Sequence, residues 1–210
     1  MYAYPAFLTD GLLDVMATES RVCSYLDMPI QHASDRMLKA MRRNYTAVSL
    51  RRQLAKLREA VPGIALRTTV VLGYPGETDA DVEELLELVE ETRFRHLGGF
   101  TYSDEEGTHA YDLEPKVPQD VMEARLGRVM DLQREIAAED NQARVGQTVE
   151  VIVDAVAEGE THHYVGRTEG DAPEVDGRVL IHGAEDAEVG SFRKVFITGA
   201  TEYDLEGRFA

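Results

Sequence analysis

Hydrophobic residues in the first two thirds of the chain alternate between short apolar runs and helical spacings. The runs predict strands at Met1–Pro5, Ser24–Met28, Ile64–Leu72 and His96–Tyr102. The spacings predict helices at Thr9–Glu19, Ser34–Arg43, Ser49–Ala60, Thr78–Thr92 and Pro118–Asn141. Strands alternating with helices indicate a parallel sheet with right-handed crossovers, so we expect the second half of a partial, TIM-like β/α barrel. Its first strand starts abruptly and leaves a bare edge, from which we expect the chain to be cut.

From Val145 the hydrophobic pattern changes to a period of two. Val149, Val151 and Val153 alternate with mostly polar neighbours. Further short runs, separated by glycine-containing turns, predict strands at His163–Thr168, Gly177–His182 and Phe192–Ala200, with a last strand or tail at Glu202–Phe209. Short strands at this spacing are typical of a small β-barrel or a β-sandwich. We therefore predict two domains, residues 1–141 and residues 142–210.

The third predicted strand ends in the turn Gly73-Tyr74-Pro75-Gly76, which leads into a helix. A strand, a glycine-flanked turn and a helix form the ligand rim of many α/β proteins. Glu77 follows the turn, and we expect its carboxylate at the rim, where it accepts hydrogen bonds from amines or hydroxyls. The alternative is a tight connection without a ligand, in which the glycines only permit positive φ angles.

Two other strand ends also carry polar groups. The segment Pro29–Ser34 contains the Gln31 amide and the His32 imidazole, and Tyr102 leads into a polar loop that extends to Val117. Because parallel strands direct their carboxyl ends to one mouth, we expect these groups to lie together. For His32 the alternative is a structural hydrogen bond.

For some residues near the strand ends, a structural role is expected before a role in binding a ligand. Ser34 and Thr78 are expected to cap helices rather than to touch a ligand. The acidic run at Asp104–Glu106 is a solvated loop or, because of its place on the rim, a contact for a partner. Arg67 enters the third strand from the opposite end, where a salt bridge is its expected role.

Composition and charge exclude several classes of protein. The chain has 22 Lys and Arg against 39 Asp and Glu, a formal net charge of −17, and acids are in excess in both predicted domains. Neither domain therefore has the basic surplus of a nucleic-acid-binding domain. The single cysteine, Cys23, excludes internal disulfides and a multi-cysteine metal site made by this chain, and we expect it to pack as a small apolar residue. The pair His162-His163 does not make a metal site without a third ligand. With no membrane-length apolar run and no signal peptide, a cytoplasmic location is expected.

Several segments resemble the second half of a radical S-adenosylmethionine methylthiotransferase. They are YAYPAFLTDGLLDVMA, YLDMPIQHASDRMLKAMRR, TTVVLGYPGETDADVEELLELVEE and FTYSDEEGTHAYDL. The tail resembles that family's terminal TRAM domain, an OB-like β-barrel, in RVGQTVEVIVDAV, YVGRTEGDAPEVDGRVLI and YDLEG. Within the family, QHAS with YSDEEGT and APEVDG is similar to the branch that methylthiolates an aspartate β-carbon of a small-subunit ribosomal protein. The tRNA branch usually carries an Arg-Pro pair where Glu105-Glu106 stands, and a basic TRAM domain.

The resemblance implies S-adenosylmethionine as a cofactor, with two [4Fe–4S] clusters in the intact family member. The implied cofactor contacts are Pro29, Gln31, Gly73, Pro75, Gly76, Glu77 and Tyr102. The implied substrate contacts are His32, Asp104, Glu105 and Glu106. The implied partner is a basic small-subunit ribosomal protein, which suits the acidic charge of this chain, and we expect a monomer with no membrane partner and with tRNA disfavoured.

The cysteines depart from the pattern of the family. Each family cluster is held by three cysteines, and this sequence has only Cys23. Because cluster ligation needs thiolates, we expect the chain to be inactive alone and assign it no catalytic and no metal-binding residue. The alternatives are a portion of a tRNA methylthiotransferase and a non-catalytic substrate-binding adaptor.

Overall fold

The computed structural model describes residues 3–157, 163–183 and 186–210. The chain divides into two compact units, Met1–Val22 with Leu26–Gln133, and Cys23–Tyr25 with Arg134–Ala210. In the described ranges no helix is both long and apolar enough to cross a membrane. The predicted domain boundary after residue 141 stays a prediction.

Helices and strands alternate in the first two thirds of the chain. A 3₁₀ turn at Pro5–Phe7 is followed by α1 (Asp10–Thr18), β1 (Tyr25–Asp27), α2 (Asp35–Ala40), α3 (Ala47–Ala60), β2 (Ala65–Leu72), α4 (Asp79–Thr92), β3 (His96–Thr101) and α5 (Gln119–Gln142). Some helices begin at a different residue from the predicted one, because capping hydrogen bonds set the first residue of the helix. Helix α3 begins at Ala47 because the Thr46 side chain accepts a hydrogen bond from the Ser49 N–H, which makes Ser49 part of the capping box.

The three strands form a sheet in the order β1-β2-β3. Strands β2 and β3 are parallel, with Arg67 opposite His96 and Leu72 opposite Thr101. Along β2, Val70 and Leu72 are 0% exposed, whereas the intervening Val71 is only half-buried. Successive side chains of a strand point to opposite faces, so one face of this sheet is packed and the other is partly open.

Helix α5 packs directly on the last strand of the sheet. A side chain at Gly99 of β3 would place its Cβ 2.5 Å from Leu126 and 3.2 Å from Met130. Glycine is therefore needed for the close approach of this helix. At the other end of the sheet, the expected salt bridge of Arg67 is confirmed, since its Nη1 lies 2.8 Å from Oδ2 of Asp27.

The predicted first strand is wrong for the residues that the structure describes. Ala3 and Tyr4 are not in a strand, and Met1 and Tyr2 lie outside the described residues. The Ala3 N–H donates to the Asp27 carbonyl at 2.8 Å, next to β1. Pro5 has no N–H for a ladder and begins a 3₁₀ turn instead. The prediction for Cys23 is also wrong, because this cysteine is exposed.

The second unit contains a closed β-barrel. Its strands are β4 (Thr148–Val156), β5 (Tyr164–Arg167), β6 (Val179–His182), β7 (Phe192–Ala200) and β8 (Leu205–Phe209), closed in the order β4-β5-β6-β8-β7. The interior is apolar, with 0% exposure at Val151, Val153, Val179, Ile181, Val195 and Ile197. Of the two predicted alternatives, the barrel is therefore correct and the sandwich is not, and the α/β region followed by a small all-β barrel is confirmed.

Candidate functional site

The carboxyl ends of the strands meet at one side of the sheet. Gln31 follows β1 and forms a parallel bridge with Val70 of β2, donating its N–H to Thr69 at 2.9 Å and accepting from Val71 at 2.9 Å. Its φ of 64° is in the left-handed region, which few non-glycine residues adopt. The segment Pro29–Ser34 therefore returns to the sheet after the interruption at Pro29 and presents the half-buried Gln31 at the strand ends.

The end of β3 lies beside the end of β2. The Tyr102 N–H donates to the Leu72 carbonyl at 2.8 Å. The rings of Tyr102 and Tyr74 pack edge to face, with centroids 5.3 Å apart. Three strand ends expected at a common mouth, those at Gln31, Tyr74 and Tyr102, are thus brought together.

His32 is completely buried, and its hydrogen bonds hold the segment Pro29–Ser34 in place. Its Nδ1 accepts hydrogen bonds from the Ala33 N–H at 2.9 Å and the Ser34 N–H at 3.1 Å. Two donors at Nδ1 assign the proton of the neutral ring to Nε2, which lies 3.5 Å from Oε2 of Glu77. The imidazole is therefore a structural group in this arrangement, and the expected substrate contact stays a prediction.

Glu77 is buried beneath the turn and does not face the mouth as expected. Its side chain is 0% exposed, and Oε2 accepts the Gly73 N–H at 2.9 Å. Its Oε1 pairs with Nη1 of Arg125 on α5 at 3.0 Å. The carboxylate therefore neutralises a buried guanidinium and fixes the turn. The sequence of the turn alone did not predict this role, because Arg125 lies 48 residues further along the chain.

Three main-chain donors in and beside the turn are occupied by the protein itself. Gly73 donates to Glu77, and the Gly76 N–H donates to the Pro115 carbonyl at 2.8 Å. The Glu77 N–H donates to the Tyr74 carbonyl at 2.9 Å. Both glycines have φ of 81°, so a side chain would strain the turn at either position.

Asp81 joins the starts of two helices. It accepts hydrogen bonds from the Ser34 hydroxyl at 2.6 Å, from the Thr78 N–H at 2.8 Å and from Arg36. Burial alone would raise the pKa of Asp81, but these donors outweigh it and hold the pKa at about 2. Ser34 is at the N-cap of α2, yet its side chain makes no capping bond and donates to this carboxylate instead.

The acidic loop is attached to the rim through a lysine. Nζ of Lys116 lies 2.6 Å from Oδ1 of Asp104 and 5.7 Å from the centre of the Tyr102 ring. Burial and the neighbouring Asp104 carboxylate raise the pKa of Tyr102 to about 12. The hydrogen bond from Lys116 lowers the pKa of Asp104. All three acids of the run are exposed; Asp104 is paired with Lys116, and Oε1 of Glu105 accepts from the Ser103 hydroxyl at 3.3 Å.

Two family models match the regions that carry this geometry. The radical SAM superfamily model matches residues 2–89, which include the ends of β1 and β2, and the TRAM domain model matches residues 145–209, the closed barrel. Curated proteins named ribosomal protein uS12 methylthiotransferase RimO match nearly the whole chain. The chain resembles about half of a radical SAM methylthiotransferase. The family resemblance predicted from the sequence is thereby confirmed.

The similar methylthiotransferases come from several bacteria. The protein from Pelotomaculum thermopropionicum is 45% identical over 207 residues, covering 99% of this chain and 47% of that protein. The one from Myxococcus xanthus is 47% identical, covering 99% of this chain and 43% of that protein. The one from Anaeromyxobacter sp. (strain Fw109-5) is 48% identical, covering 98% of this chain and 44% of that protein. The chain thus spans about half the length of these relatives.

A solved structure shows the same fold at low sequence identity. Coproporphyrinogen III oxidase (HemN) from Escherichia coli, a radical SAM enzyme, superimposes with a TM-score of 0.53 and 13% identity. The match covers 80% of this chain and 44% of that chain. This likeness supports the fold of the chain and nothing more specific.

The residues of this chain do not fit an iron–sulfur cluster. A [4Fe–4S] cluster needs several thiolates, and the sequence contains one cysteine, Cys23, which is exposed. Among the described residues, no group of three or more His, Cys, Asp or Glu side chains is arranged to hold a metal ion. His163 is described and His162 is not, so the predicted absence of a metal site at that pair stays a prediction.

One feature of the rim was missed in the sequence. Residues 35–60 contain eight of the 22 Lys and Arg residues and two of the 39 acids. Because charge was summed over whole domains, this basic segment was hidden within an acidic chain. A sum of charge over shorter stretches of sequence would have revealed it.

Proposed function

We propose that this chain is a portion of a ribosomal protein methylthiotransferase that adds a methylthio group to the β-carbon of an aspartate on uS12. The observation that carries the proposal is the meeting of the three strand ends at Gln31, Tyr74 and Tyr102, together with a TRAM-type barrel in the same chain. The relatives named ribosomal protein uS12 methylthiotransferase match both regions at 44–48% identity. The activity belongs to the whole enzyme, and this chain is proposed to be inactive alone.

S-adenosylmethionine is the proposed small-molecule ligand of the rim. Gln31 and Tyr102 are half-buried at the strand ends and are proposed to contact it with their side chains. Pro29, Pro75 and the two turn glycines are proposed to contact it through backbone atoms or ring carbons. Glu77 is proposed to contribute indirectly, because its buried carboxylate holds the Gly73 N–H. No step of the reaction is assigned to a cluster, since the chain has one cysteine.

The proposed protein substrate is basic, and the β-barrel region is acidic. Residues 142–210 contain 14 Asp and Glu against 6 Lys and Arg. A field of this sign attracts a positively charged ribosomal protein and repels tRNA. In the α/β region, the exposed Glu105 and Glu106 add negative charge at the rim. The proposal includes a monomeric chain in the cytoplasm.

The test compares the binding of purified uS12 and of bulk tRNA to the full chain across a salt series. We expect uS12 to bind, with an affinity that falls as ionic strength rises, and tRNA to bind much more weakly. Preference for tRNA with a steep salt dependence would overturn the choice of substrate. Reconstitution with iron and sulfide is expected to give no cluster absorbance, and a stable cluster would contradict the proposed inactivity of this chain.

A further inference from the structure

The basic segment at residues 35–60 reaches the mouth through the turn that joins α2 to α3. Three tyrosines hold this turn against the strand ends. Tyr74 Oη donates to the Ala40 carbonyl at 3.1 Å, and Tyr45 Oη donates to the Ile30 carbonyl at 2.8 Å. The remaining tyrosine, Tyr4, accepts the Asn44 N–H at 3.0 Å and packs against the Tyr45 ring at 5.5 Å. The turn is therefore part of the rim, although it follows no strand.

Arg42 and Arg43 occupy the tip of this turn. Arg42 is exposed and has a φ of 56°, a left-handed conformation that directs the chain back toward α3. Burial raises the pKa of Tyr74, and the positive charges of Arg42 and Lys116 act against that rise. Burial also raises the pKa of Tyr45 to about 12, against the positive charge of Arg43. Both guanidinium charges thus act on tyrosine hydroxyls of the mouth.

Several cations in the segment have carboxylate partners in the described part of the chain, but Arg42 and Arg43 do not. Arg51 pairs with Glu91 at 2.7 Å, and Lys56 pairs with Asp10. Within the described residues, Arg42 and Arg43 make no ion pair, and Nε of Arg43 is buried without a hydrogen-bond partner. A buried guanidinium N–H without an acceptor carries a free-energy cost, and pairing of the same guanidinium with an anion would offset part of that cost. Among the residues that the structure describes, the two arginines therefore lack an anionic partner.

We infer that Arg42 and Arg43 bind the carboxylate of the substrate aspartate. This inference rests on the proposed function, in which the modified carbon is adjacent to that carboxylate. A guanidinium fork matches a carboxylate in bidentate geometry. Holding the carboxylate at the α2–α3 turn fixes the direction of the neighbouring β-carbon. Two unpaired arginines suit one small anionic group better than a run of backbone phosphates, which requires many cations.

The test measures binding of uS12 and of uS12 with the target aspartate changed to asparagine, each to the full chain. We expect the asparagine form to bind the unchanged chain about tenfold more weakly, because a charge-assisted bidentate pair is lost. The double variant Arg42→Gln with Arg43→Gln is expected to bind both forms with the same reduced affinity. Arg52→Gln is the control, since Arg52 is exposed, lies in the same segment on α3 and has no partner among the described residues. Thermal melts check that each variant is folded.

Each outcome decides between distinct explanations. Equal binding of both uS12 forms to the unchanged chain, or preserved discrimination in the double variant, would overturn the inference and leave the proposed function in place. Loss of tRNA binding in the double variant, with a steep salt dependence, would also overturn it, in favour of an RNA contact. If the unchanged chain binds no uS12 at all, the proposed function itself fails, and the inference fails with it. The milder variant Arg42→Lys with Arg43→Lys keeps the charge and is expected to retain part of the discrimination if the double glutamine variant does not fold.

Discussion

The two regions of the molecule are stabilised in different ways. In the closed barrel every strand has two neighbours, and its interior is built from valine and isoleucine that are fully buried. In the sheet β1-β2-β3 the outer strands each have one neighbour, and one face is only partly covered. The rim of that sheet is held by buried polar groups, of which Glu77 and Asp81 are the centres. Apolar packing therefore defines the barrel, whereas polar contacts define the geometry of the candidate site.

The largest expected effect is at the buried pair of the sheet region. Glu77→Gln removes the buried carboxylate from the Arg125 guanidinium, which is 11% exposed, leaves it, among the described carboxylates, only the exposed Asp79 at 2.7 Å, and weakens the acceptor of the Gly73 N–H. Breaking a buried pair on one side costs about 3–5 kcal/mol, and the solvent-screened contact with Asp79 offsets only a small part of that cost. Hydrogen-exchange mass spectrometry is expected to show faster exchange in residues 26–133 and unchanged exchange in the barrel. Glu90→Gln, at an exposed position on the following helix α4, is the control, and equal exchange in the two variants would contradict the role of the buried pair.

Removal of an apolar side chain from the barrel is expected to act on the other region. Ile181 is 0% exposed, and Ile181→Ala leaves a cavity that costs about 3 kcal/mol. Faster exchange is expected within residues 148–209, with the α/β region unaffected. Val175→Ala, at a position that is 60% exposed, is the matched control and should be nearly neutral. Exchange that rises equally in both regions would show that the two do not unfold separately.

Acid is expected to destabilise the sheet region through Asp81. Its folded-state pKa of about 2 lies below the ordinary value of 3.8, so its stabilisation is complete above about pH 4 and is lost as the pH falls toward 2. The loss amounts to about 2 kcal/mol by that linkage. Urea unfolding measured from pH 5 to pH 2 is the appropriate experiment. Asp81→Asn should lower stability at pH 5 and flatten the acid dependence; an unchanged slope would assign it to other carboxylates.

The smallest expected effect is at an exposed ion pair of the barrel. Lys194 and Glu150 face each other across β7 and β4 at 3.4 Å, with side chains that are 64% and 60% exposed. Pairs in this position contribute less than about 1 kcal/mol because water and salt screen them. Lys194→Ala is therefore expected to leave the melting temperature almost unchanged. A large shift would show that the barrel, too, depends on charged contacts.

Hydrophobic periodicity was sufficient to predict most of the fold, because it reports which faces are buried. The strand before Gly73 and the period of two after Val145 were sufficient to predict the two regions from the sequence. The first strand was predicted wrongly, since an apolar-aromatic segment does not reveal that Pro5 turns the chain.

The candidate site was predicted in its position but not in its chemistry. The meeting of Pro29–Ser34 with the Gly73–Thr78 turn follows from strand order alone. The burial of Glu77 does not, because it depends on Arg125, a residue of a distant helix. Asp104, expected among the substrate contacts, is bonded to Lys116 of its own loop. Arg42 and Arg43 were missed because charge was averaged over whole domains.

The occupied amides of the turn limit which ligands it can accept. Gly73, Gly76 and Glu77 already donate within the chain, and Pro75 has no N–H to offer. An anion that arrives there finds few free backbone donors and must be neutralised by side chains. Carbonyl groups of the turn are occupied as well, since Gly76 accepts from Nη1 of Arg36 at 2.8 Å and Glu77 accepts from Nη1 of Arg125 at 3.3 Å. The turn is thus a preformed support whose polar main-chain groups are mostly used within the chain.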